Sequence, residues 1–165
     1  MYFISSMKTL VIPKSRFKET KYSLFEWMQC LDSCLYHTVV RNNIVENLHD
    51  PGGDMTVAAF VFDARDEPMG FAYAEVRRDQ MCIRYISCKE KLKGYGSALL
   101  RALESFARSR GLRHVELIST SGSKQFYVKH HYAFGSMNSF CRRSLRLARN
   151  NDPFKLIPFV KYFKY

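Results

Sequence analysis

No stretch of the 165-residue sequence approaches the ~18 uninterrupted apolar residues that a membrane-spanning helix needs, so no membrane partner is expected. The start, Met1-Tyr2-Phe3-Ile4-Ser5-Ser6-Met7-Lys8, lacks a basic region followed by an apolar one, and no secretory leader is expected. Cys30, Cys34, Cys82, Cys88 and Cys141 form an odd set without a Cys-x-x-Cys pair. Cys30 and Cys34 are one helical turn apart, yet no His or further Cys stands at zinc spacing from them. Reduced thiols in a cytoplasmic or nuclear protein are therefore expected, with no metal. Internal repeats and low-complexity linkers are absent too, which argues for one domain over residues 1–165.

Acid is scarce in one half only. Residues 1–88 carry ten basic and eleven acidic side chains, a net of −1, whereas residues 89–165 carry sixteen and four, a net of +12. The whole positive field of this +11 chain thus belongs to its C-terminal half, where an anionic partner is favoured. The composition is 47% hydrophobic and 15% aromatic, enough for a packed core at this length.

Hydrophobic patterning predicts a short strand at Lys8–Pro13, stopped by its proline. Leu24, Trp27, Met28, Leu31 and Leu35 recur at helical spacing after Tyr22-Ser23, and a second helix is expected over Val39–Asn47. The turn Asp50-Pro51-Gly52-Gly53-Asp54 precedes three strand-like runs at Met55–Phe62, Met69–Val76 and Gln80–Cys88, which read as an antiparallel meander. After Gly94-Tyr95-Gly96 the period changes to 3.6. Ala98, Leu99, Ala102, Leu103, Phe106 and Ala107 form an apolar stripe, with Arg101, Glu104, Arg108 and Arg110 expected to face away and Gly111 to cap the end. A buried strand at His114–Ile118, a short helix at Lys124–His131, a basic helix at Phe140–Arg149 and a last strand at Phe154–Phe163 complete the reading. Strand–helix–strand over residues 80–120 implies a parallel pair joined by a crossover. The class is α/β (α+β), with a mixed sheet.

The sharpest chemical feature is Lys91-Leu92-Lys93-Gly94-Tyr95-Gly96, between a strand and a helix. Glycines there let the chain turn tightly, and the helix start offers unpaired N–H donors and a positive dipole end to a phosphate. Lys89, Lys91 and Lys93 add cations at the same point. Neither Gly-x-Gly-x-x-Gly nor a Gly-Lys-Ser/Thr phosphate loop is present, and an ordinary strand-to-helix turn would also explain two glycines.

The block Ile86-Ser87-Cys88-Lys89-Glu90-Lys91-Leu92-Lys93-Gly94-Tyr95-Gly96-Ser97-Ala98-Leu99-Leu100 resembles the acetyl-CoA-binding motif of the GNAT acyltransferase superfamily, with Lys91 at the Arg/Gln position. The loop spacing looks most like the histone-acetyltransferase branch. Phe126-Tyr127-Val128-Lys129-His130-His131-Tyr132 resembles the superfamily's second signature, Phe-Tyr-x-x-x-Gly-Phe, with His131 replacing the glycine and Tyr132 the phenylalanine. The resemblance covers about residues 55–135 and implies a largely antiparallel sheet, a splayed parallel strand pair and about four flanking helices. Residues 1–54 would form the acceptor side, and residues 136–165 a basic, aromatic C-terminal segment.

For the site, the resemblance implies that Ile86, Ser87 and Cys88 line the pantetheine arm. Lys91, Leu92, Lys93, Gly94, Tyr95, Gly96 and Ser97 would surround the pyrophosphate, with Lys124 a further contact. The thioester carbonyl would be polarised by a backbone N–H near Cys88, and Tyr127 would be the general acid for the leaving thiolate. The implied activity is acetyl transfer from acetyl-CoA to a primary amine, a protein lysine or a small amine, by direct attack in a ternary complex. Gln80 stands where the histone-acetylating branch has its glutamate base, and it cannot act as one. Asp79 is adjacent but on the other face of a regular strand, which leaves Glu75 as the candidate base beside a water relay or an already neutral amine.

Other residues favour packing. His130 and His131 point about 100° apart on a helix and make a poor chelate, while His37, His49 and His114 are scattered. No Gly-x-Ser-x-Gly elbow exists, and Cys88 has no evident His/Asn partners for nucleophilic catalysis. Phe25, Trp27 and Met28 suit a core or a substrate cleft. Two alternatives remain open on residues alone. Arg142, Arg143, Arg146, Arg149, Lys155, Lys161 and Lys164 interleave with Phe140, Phe154, Phe159, Tyr162, Phe163 and Tyr165, as a nucleic-acid or acidic partner would want. Gln80 would also suit a catalytically weakened acyl-CoA binder.

Overall fold

A computed structural model describes residues 7–16, 55–135 and 156–165. The helices expected from Tyr22 and over Val39–Asn47, the Asp50–Asp54 turn and the Phe140–Arg149 helix lie outside the described residues. Seven strands form one sheet in the order β1-β2-β3-β4-β5-β7-β6. β1 (Lys8–Pro13), β2 (Met55–Phe62), β3 (Pro68–Arg77) and β4 (Gln80–Cys88) pair antiparallel in succession. Helix α1 (Tyr95–Ser109) then carries the chain over to β5 (His114–Thr120), which lies parallel to β4. Helix α2 (Lys124–Lys129) follows, and β6 (Ala133–Phe134) and β7 (Leu156–Tyr162) close the sheet, with β7 antiparallel to both β5 and β6. The mixed sheet with one parallel pair is the expected class.

Local chemistry sets the turns. Asp63 Oδ1 accepts the N–H groups of Arg65 at 2.8 Å and Glu67 at 3.0 Å, so an aspartate side chain closes the β2–β3 loop. Arg78 takes a left-handed φ of 50° to make the tight turn into β4. Gly111 follows the last residue of the α1 cap with φ 67° and donates to the Arg108 carbonyl at 2.9 Å, as a helix-ending glycine should. α2 stops earlier than expected: His130 caps it, and His131 turns left-handed at φ 66°. That conformation is why the resembled signature favours glycine there, and why the helix does not run through His131.

The core lies between one face of the sheet and α1. Val57, Ala59, Ala72, Ala74, Met81, Ile83, Val115 and Leu117 alternate onto that face and meet Leu99, Leu100 and Leu103, each of the three leucines fully buried. Burying each such leucine is worth roughly 1.5–3 kcal/mol. One expectation for α1 is corrected. Glu104 does not face away; it is buried, because β7 runs beneath the helix and brings Lys161 Nζ to 2.8 Å from its Oε2. Leu100, outside the expected stripe, is buried with it.

Candidate active site

The parallel ladder between β4 and β5 is short. Gln80, Met81, Cys82 and Ile83 pair with His114, Val115, Glu116 and Leu117, and there the pairing ends. A bulge explains the divergence: Tyr73 faces Tyr85 while Ala74 faces Ile83, so Arg84 is an extra residue in β4. Beyond it β4 stays with β3, and β5 with β7. An extra residue in one strand bends that strand away from its neighbour. The resulting wedge is a cleft of about 200 Å³ lined by Ile83–Ile86, Leu117–Ser119, Ser123 and Tyr127.

From the wedge β4 runs on through Ile86, Ser87 and Cys88 to the basic loop at the head of α1. Lys91, Leu92, Lys93 and Gly94 are exposed there, Leu92 with φ 61° and Gly94 with φ 85°. The left-handed Gly94 caps α1, and its carbonyl accepts the first intrahelical bond from the Ala98 N–H at 3.0 Å. The amides of Tyr95, Gly96 and Ser97 therefore precede the helical ladder, and the first turn carries no acidic side chain to occupy them. Such a helix start, flanked by lysines, fits a pyrophosphate. Small residues keep it close to β4. A Cβ on Gly96 would stand 3.4 Å from the Phe126 ring, and one on Gly70 would stand 2.9 Å from Cys88 Sγ. Lys124 opens α2 and is exposed, next to Ser123 of the cleft.

Tyr127 comes from α2, on the α1 side of the sheet. It is buried against Phe126, Tyr132 and Phe159, with ring centroids 5.0, 5.9 and 6.1 Å away. Burial, and next the neighbouring Cys88, push its phenol up to about 12, so it stays protonated at neutral pH. Tyr132, which replaces the signature's phenylalanine, is buried as a phenylalanine would be.

The carboxylates lie on the other face of the sheet. Glu75 is not a free carboxylate: Tyr73 Oη donates to its Oε1 at 3.0 Å, and Arg84 holds its Oε2 at 3.3 Å. Desolvation, followed by Glu75, raises the Tyr73 phenol. Gln80 is buried at the start of β4, outside the cleft lining. Asp79 sits in the turn before it, 3.5 Å from Arg113. The two adjacent histidines separate as expected, His130 bonding Ser97 and His131 facing solvent. Among the described residues no group of three or more His, Cys, Asp or Glu side chains could hold a metal ion. Of the C-terminal aromatics that are described, Phe159 and Phe163 are core residues, Tyr162 and Tyr165 are exposed, and Lys161 is paired with Glu104. That does not support the nucleic-acid surface; Arg142, Arg143, Arg146 and Arg149 lie outside the described residues.

Sequence patterning did not single out Arg84, Tyr85, Leu117, Ile118, Ser119 or Ser123 as cleft residues. A bulge leaves no composition signal.

Comparison with known proteins agrees with this geometry. Residues 18–132 match the model of the acetyltransferase (GNAT) family. The chain belongs to that family, and it is an acetyltransferase that uses acetyl-CoA as donor. A solved structure assigned as an N-acetyltransferase from Lactobacillus plantarum is 17% identical with a TM-score of 0.60, over 96% of this chain and 99% of that one. Another, assigned to the GNAT family from Desulfovibrio desulfuricans, is 14% identical with a TM-score of 0.61, over 95% and 98%. A third, assigned as a streptothricin acetyltransferase from Bacillus anthracis and solved with acetyl coenzyme A, is 15% identical with a TM-score of 0.54, over 72% and 68%. No curated protein matches the chain in sequence. At these identities the structures are similar in fold.

Proposed function

We propose that the chain moves the acetyl group of acetyl-CoA to a primary amine, on a protein lysine or a small molecule, by direct attack in a ternary complex. The observation that carries this reading is the wedge itself. It opens between β4 and β5, is walled by Tyr127 and leads along β4 to the basic head of α1. Ile86, Ser87 and Cys88 would run beside the pantetheine arm, and the amides of Lys91 to Ser97 would hold the pyrophosphate. Lys91, Lys93 and Lys124 would add charge. Tyr127 would give its proton to the departing thiolate, a role that a protonated, buried phenol suits. Glu75, held beside Arg84 of the cleft wall, would be the candidate proton acceptor for the amine, beside a water relay or an already neutral amine.

A screen of polyamines, lysine-containing histone peptides and antibiotic amines with acetyl-CoA tests the reading. Free CoA thiol should appear only with an acceptor amine present, together with the amide in the mass spectrum. Thiol release without any acetylated amine would contradict it.

A further inference from the structure

The bulge in β4 places two successive side chains, Arg84 and Tyr85, on the face opposite α1. Ile83 and Ile86 on either side pack into the α1 core, while Tyr85 meets the Phe71 ring at 6.3 Å and Arg84 reaches Glu75. Bulges beside active sites commonly serve to re-aim a side chain in this way. Arg84 follows Ile83, the last β4 residue paired with β5, so it stands where the wedge opens. It lines the cleft from the face opposite the one that carries Tyr127.

Among the described residues, Arg84 is the one charged side chain that lines the cleft, and no carboxylate lines it. Glu75 stands outside that lining and backs the guanidinium. Its Oε2 accepts from Arg84 Nη2 at 3.3 Å, and its Oε1 accepts from Tyr73 Oη at 3.0 Å. The pair therefore turns its positive end to the cleft, and 23% of the Arg84 side chain is exposed. A guanidinium has five N–H donors in a planar fork that matches a carboxylate, so the bond to Glu75 does not exhaust it. Fixing that fork beforehand removes much of the ordering cost of gripping an anion. A polyamine or a basic peptide brings a second cation instead, and this wall repels it.

Resting on the acetyl-transfer reading above, we infer that the acceptor is a small amine that also carries a carboxylate, an amino acid, and that Arg84 selects it by that carboxylate. The chemistry of transfer is unchanged. The amine nitrogen takes the acetyl group from sulfur and gives up one proton, and the departing thiolate takes one. The carboxylate is a handle that holds the amine beside the thioester and does not react.

The test compares each of a panel of amino acids with its own carboxamide, which has the same shape and no negative charge, by CoA thiol release and the mass of the product. For the amino acids that the wild-type protein acetylates, kcat/KM should exceed that of the carboxamide by about 10- to 100-fold, the worth of a hydrogen bond to a charged group. Arg84→Gln should lower that ratio by about the same factor. Arg84→Lys, which keeps a charge for Glu75 but loses the fork, should fall between the two. A ratio taken within one protein cancels general damage to the fold or to donor binding. If Arg84→Gln is too unstable to assay, the Arg84→Lys ratio decides alone. A wild-type ratio near one, or an unchanged ratio in the variants, overturns the inference. So does a wild-type protein that acetylates polyamines or histone peptides and no amino acid, a result that leaves the acetyl-transfer reading standing. A wild-type protein that acetylates no amine at all contradicts that reading, and this inference with it.

Discussion

Ser97 Oγ lies 2.8 Å from His130 Nε2, a bond from the first turn of α1 to the end of α2. It links the helix start that suits a pyrophosphate to the helix that carries Tyr127, and Phe126 reinforces it with its ring 4.8 Å from that of His130. Both halves of the site are thereby held in one register across the wedge. Burial is the main cause that lowers the His130 imidazole below its ordinary value; Glu104 opposes it, and Arg101, Lys161 and Lys129 add to it. The unfolded chain then takes a proton before the folded one does, so stability is present above about pH 6.5 and is lost as pH falls below it.

His130→Gln keeps a polar side chain at 130 but cannot titrate there. The drop in melting temperature between about pH 7.5 and pH 5.5 should be smaller in this variant than in the wild type, by differential scanning calorimetry. An identical drop would separate His130 from the acid sensitivity.

Tyr127→Phe removes the phenol and leaves the ring packing. Turnover should fall about 10²-fold while the Kd for acetyl-CoA holds, by steady-state kinetics and calorimetry. Equal turnover would remove Tyr127 from the chemistry.

The same residue sets an alkaline limit. Its folded-state phenol is raised to about 12 against about 10 when unfolded, so the neutral form is favoured by folding. That contribution, on the order of 2–3 kcal/mol, is intact below pH 10 and is lost as pH rises towards 12. Chemical denaturation of Tyr127→Phe should show a shallower loss of stability than wild type between about pH 10 and pH 12.

Much of this was legible in the sequence. Period-2 runs placed β2 and β4 to the residue, because each sits in a meander bounded by turn chemistry such as Asp63 and Arg78-Asp79. The Gly94-Tyr95-Gly96 step announced the head of α1, since a left-handed residue was needed there. Glu104 was misread because helical periodicity knows nothing of β7, and its partner Lys161 is distant in sequence. The wedge was legible only through resemblance, as the Arg84 bulge depends on how β3 and β4 pair. The pairing of His114 with Glu116 was missed for a related reason: it depends on two residues sharing one strand face.

Lys161→Met strands the Glu104 carboxylate beneath α1, where the pair is mostly buried. Removing one partner of such a pair should cost about 3 kcal/mol in urea denaturation. Adding Glu104→Leu to that variant should recover most of the loss, because an apolar pair needs no compensation there. If the double variant is as unstable as the single, the pair has a further role in packing.

Gly70→Ala places a methyl 2.9 Å from Cys88 Sγ and 3.0 Å from both Leu99 Cδ1 and the Ser87 carbonyl. The strand and α1 must move apart, at a cost of about 1–3 kcal/mol. Because Ser87 and Cys88 belong to the proposed donor track, the acetyl-CoA Kd should weaken along with the melting temperature. Loss of stability with unchanged Kd would detach that part of β4 from the ligand.

The proposed reaction requires first that acetyl-CoA be held along β4 and at the head of α1. Isothermal titration of the wild-type chain with acetyl-CoA should show saturable binding at micromolar concentration or tighter. Absence of binding at millimolar acetyl-CoA would contradict it.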